Sequence, residues 1–271
     1  MDLELEGKRA LVTGSSSGIG IGVAEMLAEE GCIVVVHGRD EARTRDTAER
    51  IAAAGGKVEM VLGDLADPAI CADVVQQVER AVGGIDILVN NAGGGKNSRN
   101  NPAWFDVPWD DWTATYEQNV GASVRLIHAF VPGMKAQGWG RIINFSSAAA
   151  TTALAEIPDY AAAKAAMINL TVSVSRALSN TGITANTITP GMIRTPVMED
   201  WFKVLGEQNG WGETFEEVEK FAVTEMIPLP AGFVGEPSDI AATICLLASH
   251  YGRYITGANI RIDGGFARHP N

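Results

Sequence analysis

Apolar residues along the chain fall into two alternating rhythms. Short β-branched runs, KRALVTG (8–14), CIVVVHG (32–38), KVEMVLGDL (57–65), IDILVNNAG (85–93), WGRIINFSS (139–147), GITANTITP (182–190) and ANIRID (258–263), are apolar at successive positions. Strands buried on both faces read that way. Between them, apolar residues recur at helical spacing and predict helices over 18–31, 40–54, 67–82, 109–136, 158–179 and 237–249. Glycines end the first two, at Gly31 and at Gly55 and Gly56, while Asp67 is an N-cap with Pro68 at the first helical position.

Apolar strands alternating with amphipathic helices define an α/β fold. The prediction is a doubly wound parallel sheet, Rossmann-like, with about seven strands, helices on both faces and right-handed crossovers. The rhythm breaks at 192–235, which is too long for a tight connection. We therefore expect one domain over 1–271, with 192–235 as a small helical lobe inserted in it. Ligands of such folds sit at the carboxyl ends of the strands, and the lobe falls over that edge.

Composition narrows the classes of partner. The chain has 271 residues, 46% of them hydrophobic and 20% charged, enough for one large core. A net charge of −12 and a pI near 4.8 argue against nucleic acid and against an anionic membrane surface. The start, MDLELEGKRALVTG, lacks the basic and apolar regions of a signal peptide. No apolar run approaches the roughly 18 residues that span a bilayer. Cys32, Cys71 and Cys245 are odd in number and scattered, so neither a disulfide framework nor a metal site is expected, and a reducing cytoplasm fits best. His37, His128, His250 and His269 lack ligand spacing, so no metal is predicted, and His128 in RLIHAF is expected to pack between helices.

Two short segments carry candidate chemistry. TGSSSGIG (13–20) stands between the first strand and the first helix, with Gly14 for a tight turn, Gly18 for close approach of a pyrophosphate and Gly20 for helix–sheet packing. The helix N-terminus beyond it offers N–H groups and a positive dipole end to phosphate. YAAAK (160–164) sets Tyr160 and Lys164 on one helix face, about 5–6 Å apart. A cation about 4 Å from a phenol is worth about 4 kcal/mol at an effective dielectric near 20, which draws the phenol toward ionisation. Such a tyrosine exchanges a proton with a substrate oxygen, as acid in one direction and base in the other. An isolated pair would otherwise be the exposed edge of an ordinary helix.

TGSSSGIG, NNAG (90–93), Ser147 thirteen residues before Tyr160, YAAAK and PG (190–191) together resemble the short-chain dehydrogenase/reductase family, in order and over nearly the whole chain. Within it the chain is most similar to the 3-oxoacyl-carrier-protein reductase type and its relatives acting on small carbonyls and secondary alcohols. The resemblance implies an oxidoreductase interconverting a ketone and a secondary alcohol. Tyr160 would transfer the proton, Lys164 lower its pKa and Ser147, rather than Ser146, orient the oxygen. Asn119, in YEQNVGAS, would hold a water linking Lys164 to solvent. The cofactor residues it implies are Gly14, Ser16, Ser17, Gly18, Ile19 and Gly20 in the turn, Asp64 and Leu65 at the adenine, and Asn90, Asn91, Ala92 and Gly93 at the ribose. Tyr160, Lys164, Pro190, Gly191, Ile193 and Thr195 complete the set. Without the resemblance, Asp64 reads as a loop or cap residue and Thr195 and Pro196 as a helix cap and first position.

The dinucleotide is selected after the second strand, where NAD enzymes place a carboxylate for the ribose. Here that position is Gly38, followed by Arg39, whose guanidinium suits a 2′-phosphate and favours NADP(H), with NAD(H) as the alternative. The competing reading makes Arg39 a solvated helix-start residue and Asp40 the N-cap. The chain departs from the NADP pattern at Ser17, where many members carry a basic residue. Three function classes remain open at this point: the NADP(H) enzyme, an NAD(H) enzyme of the same chemistry, and a dinucleotide-binding sensor without catalysis.

The substrate end is less legible. Trp201, Phe202, Trp211, Phe215, Phe221 and Phe233, with Met192, Met198 and Met226, either line an apolar pocket or form the lobe's own core. EEVEK (216–220) reads as a solvated helix face, and Lys96 and Arg99 in GGGKNSRNN (93–101) as a polar loop or as contacts for an anionic substrate. By resemblance the assembly is a homotetramer, or a homodimer, with 109–136, 158–179 and GANIRIDGGF (257–266) at the interfaces.

Overall fold

The computed structural model describes residues 2–95 and 104–268; Lys96, Arg99 and His269 lie outside them. Seven strands, β1 (Arg9–Val12), β2 (Ile33–Gly38), β3 (Lys57–Leu62), β4 (Ile87–Asn90), β5 (Gly140–Phe145), β6 (Ile183–Pro190) and β7 (Asn259–Ile262), form one sheet in the order β3-β2-β1-β4-β5-β6-β7. Every neighbouring pair is parallel. The helices are α1 (Ile19–Glu29), α2 (Glu41–Ala53), α3 (Pro68–Val82), α4 (Trp109–Tyr116), α5 (Ala122–Gln137), α6 (Ala149–Thr152), α7 (Pro158–Ala177), α8 (Pro196–Asn209), α9 (Phe215–Phe221) and α10 (Pro237–Ala248).

The continuous apolar strand runs follow from a core on each face. Side chains alternate across a strand, so Val12, Val34, Val36 and Val89 pack with Val23 and Leu27 of α1 and Ile240 and Ile244 of α10. Their neighbours Leu11, Val35 and Leu88 point the other way, against Val74 and Val78 of α3 and Leu126 and Phe130 of α5. β1, β3, β4 and β5 are shorter than predicted at their carboxyl ends, whereas β2 and β6 end where predicted. Thr13, Gly63, Asn91 and Ser146 leave the ladder there, and these turns build the site. Val12, the last residue of β1, lies in register with Val36 on one side and Val89 on the other, so β2 and β4 run on past the end of β1 by two residues and one. The strand order reverses between β1 and β4, the switch point where doubly wound folds open a crevice.

The predicted helix over 109–136 is interrupted: α4 passes through a π-helical turn, Glu117–Gly121, before α5. Asp67 caps α3, accepting the Ala69 and Ile70 N–H groups at 2.8 and 3.1 Å, with Pro68 at the first position. His128 is exposed rather than packed between helices, because Leu126, Ile127 and Phe130 take the inward positions of α5.

The lobe comprises α8, α9 and a second π turn, Ala222–Met226. It has its own core of Phe202, Leu205, Val218, Ala222, Val223, Leu229 and Val234, against which Met192, Met198, Trp201, Trp211 and Phe215 pack. Phe202 stacks on Phe215 with centroids 4.7 Å apart, and Trp211 on Phe221 at 6.0 Å. Met226 and Phe233 are exposed. Trp201, Phe202, Trp211, Phe215 and Phe221 therefore hold the lobe together, and none of the lobe's aromatic residues lines the strand-end cleft. Among the described residues no helix is long and apolar enough to cross a membrane, and no cluster of His, Cys, Asp or Glu is arranged to hold a metal ion.

Candidate active site

A cleft of about 620 Å³ runs along the carboxyl ends of the strands, and most residues singled out from the sequence line it. Its floor is the glycine turn: Gly14, Ser16, Ser17, Gly18 and Ile19 line the cleft, and Gly20 lies buried beneath. Gly14 takes φ +68°, a left-handed conformation. A Cβ at Gly20 would stand 2.5 Å from the Gly14 carbonyl oxygen, so the turn and α1 meet only because that residue is glycine. No side chain caps α1 at Gly18, leaving its first N–H groups to face the cleft.

One end of the cleft is formed by Gly38, Arg39, Arg43, Asp64 and Leu65. A Cβ at position 38 would lie 2.2 Å from Thr44 Oγ1 and 2.7 Å from Ser16 Oγ, so a side chain there would have to displace both hydroxyls. Arg39 makes a loose, exposed ion pair with Asp64 at 3.4 Å. Asp40 is the N-cap of α2, accepting the Arg43 N–H at 3.0 Å, so both readings of GRD hold together. Arg43, one helical turn beyond Arg39, adds a second guanidinium to this wall. Its position at the start of α2 was the available signal, and sequence reasoning passed over it.

Asn91, Ala92 and Gly93 line the middle of the cleft. Asn90 does not: it is buried and donates to Asn144 Oδ1 at 2.8 Å. Pro190, Gly191 and Thr195 reach the cleft from the end of β6. Ile193 does not, being buried in the core, because its bridge to Gly235 turns it inward. Thr195 both lines the cleft and caps α8, accepting the Met198 N–H at 3.4 Å. Val197, absent from the sequence reading, is the lobe's further contribution.

At the other end, α7 carries Tyr160 and Lys164 and β5 delivers Ser147. Tyr160 and Ser147 face the same end of the cleft, where Ser147 acts to lower the phenol's pKa. Lys164 is 4% exposed; its Nζ donates to the Phe145 carbonyl at 3.0 Å and stands 5.6 Å from the centre of the Tyr160 ring. Ser146 is buried and donates to the Lys164 carbonyl at 2.8 Å, which pins α7 to β5 and leaves Ser147 as the serine that acts on the Tyr160 hydroxyl. Asn119 sits on the π turn, where it donates to the Gly94 carbonyl at 2.8 Å and the Thr115 carbonyl at 2.7 Å and accepts the Gly94 N–H at 3.2 Å. A Cβ on Gly93 would be 2.4 Å from Asn119 Oδ1 and 3.1 Å from Lys164 Nζ, so these two side chains close on the same backbone. Turns of this kind often mark functional sites.

Burial acts against the expected acidity of Tyr160. It raises the phenol above its ordinary value, with the Ser147 hydrogen bond opposing, and it pushes Lys164 down to about 8. The lowered phenol pKa anticipated from the helix spacing is absent from the protein alone, because desolvation of the phenol outweighs the opposing effect of Ser147. At neutral pH the pair is a phenol beside an ammonium, which suits proton donation.

A long cleft over an uncapped helix terminus, with guanidinium groups at one end and a phenol, an ammonium and a hydroxyl at the other, fits a nicotinamide dinucleotide. Fold and site thus define a dinucleotide-dependent oxidoreductase. A family model described as enoyl-(acyl carrier protein) reductase matches residues 14–267. The 3-oxoacyl-(acyl-carrier-protein) reductase of Vibrio cholerae is 34% identical over 97% of this chain and 98% of the relative. The D-beta-hydroxybutyrate dehydrogenase of Cupriavidus necator is 33% identical, over 97% and 98%. The crystal structure of L-sorbose reductase from Gluconobacter frateurii, complexed with NADPH and L-sorbose, superposes with a TM-score of 0.91 at 33% identity, covering 100% of both chains. The chain belongs to the short-chain dehydrogenase/reductase family. It is an NAD(P)-dependent oxidoreductase that interconverts ketones and secondary alcohols.

Proposed function

We propose that the enzyme uses NADP(H) on a small ketone or secondary alcohol, with Tyr160 as proton donor and acceptor. The observation that carries this reading is the grouping of Ser147, Tyr160 and Lys164 in the same cleft as Arg39 and Arg43, at its opposite end. When bound, the nicotinamide supplies or accepts the hydride. Ser147 donates to the substrate oxygen and holds it against Tyr160. In reduction Tyr160 protonates that oxygen; in oxidation it withdraws the proton. Lys164 supplies positive charge beside the phenol, and Asn119 fixes the Gly93–Gly94 backbone against which Lys164 lies, in line with a water relay to solvent. Arg39, with Arg43 beside it, would hold a 2′-phosphate, and Gly38 lacks the acid an NAD enzyme would use there. The cofactor named for the sorbose reductase structure agrees with that preference.

Replacing Tyr160 with Phe removes the exchangeable proton and keeps the ring. Turnover should fall by about 10³-fold or more, with NADPH affinity within about threefold of wild type. A Y160F protein that still turns over a ketone at the wild-type rate would refute the assignment.

We further propose one domain with the lobe inserted, a homotetrameric assembly and a cytoplasmic setting. Supporting the assembly are exposed Trp109 and Tyr116 on α4, and Leu246, Tyr251 and Tyr254 beside the half-exposed edge strand β7. Supporting the setting are three free, buried cysteines.

A further inference from the structure

His37 lies under the cleft floor and takes no part in the proton chemistry. It is the last residue but one of β2 and is 3% exposed. Both ring nitrogens have partners: the Gly14 N–H donates to Nδ1 at 3.1 Å, and Nε2 lies 3.1 Å from the Gly63 carbonyl oxygen. An amide N–H only donates and a carbonyl only accepts, so the ring carries one proton, on Nε2. Gly14 opens the phosphate turn in its left-handed conformation, and its own carbonyl accepts from Asn91 Nδ2 at 3.3 Å. Both polar groups of Gly14 are thereby held. The His37 backbone reinforces the grip, its N–H donating to Ser15 Oγ and its carbonyl accepting the Ser15 N–H, each at 2.9 Å. Gly63 leads directly into Asp64 and Leu65 of the facing wall.

We propose that His37 is a positioning residue for the dinucleotide, a neutral imidazole that holds Gly14 in the conformation presenting the turn's N–H groups to phosphate and ties that turn to the Asp64–Leu65 wall. This rests on the dinucleotide reading of the cleft. Burial pushes the ring down to about 4, opposed by the Gly63 hydrogen bond and the Asp64 charge and reinforced by Arg39. The ring is therefore neutral throughout the range in which an ordinary histidine titrates.

Asparagine places its amide oxygen where Nδ1 stands, and glutamine places its amide nitrogen where Nε2 stands, so the two separate the arms of the bridge. NADPH affinity is read by fluorescence titration, and kcat at saturating NADPH beside it, on the full chain. His37→Leu strands the Gly14 N–H and should weaken NADPH binding about tenfold, the factor that about 1.4 kcal/mol corresponds to, with kcat within about twofold. His37→Asn should bind within about threefold of wild type, and His37→Gln as weakly as the leucine variant. Should the leucine variant fail to fold, the other two still decide. A second readout needs no substitution: imidazole ¹⁵N resonances of the wild type should show the Nε2–H tautomer, unchanged between about pH 5.5 and pH 8. Wild-type affinity in H37L, no recovery in H37N, or a ring that titrates near pH 6.5 would each overturn the proposal. Wild-type protein that binds neither NADPH nor NADH would overturn the reading of the cleft, and this proposal with it.

Discussion

Burial acts in opposite senses on Tyr160 and Lys164, raising one and lowering the other to about 8. The ammonium is therefore present below about pH 8 and lost above it. Ketone reduction at saturating NADPH should hold level below that point and decline above it, and Lys164→Arg, which keeps its charge, should move the decline to higher pH. A rate that stays level to about pH 10 would show that no lysine charge is needed. At the other end of the cleft, Arg39→Ala should raise KM for NADPH about tenfold and leave NADH kinetics nearly unchanged; equal losses with both cofactors would remove the phosphate role. His37 adds a stability effect of the same origin. Its folded pKa lies near 4, below the unfolded value of about 6.5, so the stability gained by burying it neutral is present above pH 6.5 and lost as pH falls toward 4. The chemistry-bearing residues were legible in the sequence because Tyr160 and Lys164 share a helix face and the glycines punctuate a turn. Their ionisation was not, because the burial that shifts both groups is made by the packing of α7 on other elements and not by the helix itself.

Elements were legible to the degree that a single rhythm governs them. β2 and β4 are buried on both faces and read as unbroken apolar runs. The π turn of Glu117–Gly121 was not foreseen, since it changes helix winding locally without breaking the apolar pattern from Trp109 to Gln137. In the lobe, aromatic residues read identically whether they pack on one another or on a ligand, and only tertiary structure assigned Phe202 and Phe215 to a core. Phe202 is fully buried there, and Phe202→Ala should destabilise the protein by about 3–5 kcal/mol in urea unfolding, unless the lobe unfolds on its own as a separate transition. The same substitution should weaken substrate use through Thr195 and Val197, which α8 and its cap bring to the cleft.

The whole molecule joins two halves of one sheet, and the cleft exists because the strand order reverses between β1 and β4. Phosphate turn and cationic wall come from the first half, phenol and ammonium from the second. The proposed tetramer predicts a light-scattering mass of four chains, and Leu246→Arg with Tyr254→Arg, at positions 38% and 97% exposed, should reduce it to two. On this account the acidity of Tyr160 belongs to the assembled cleft and not to the helix that carries it: the protein alone holds the phenol high, and the positive charge of the oxidised cofactor must complete the field. Phenolate absorbance, titrated as the difference between wild type and Y160F, tests this directly. With saturating NADP⁺ the Tyr160 midpoint should fall by roughly two pH units or more relative to the free protein. An identical midpoint with and without NADP⁺ would contradict it.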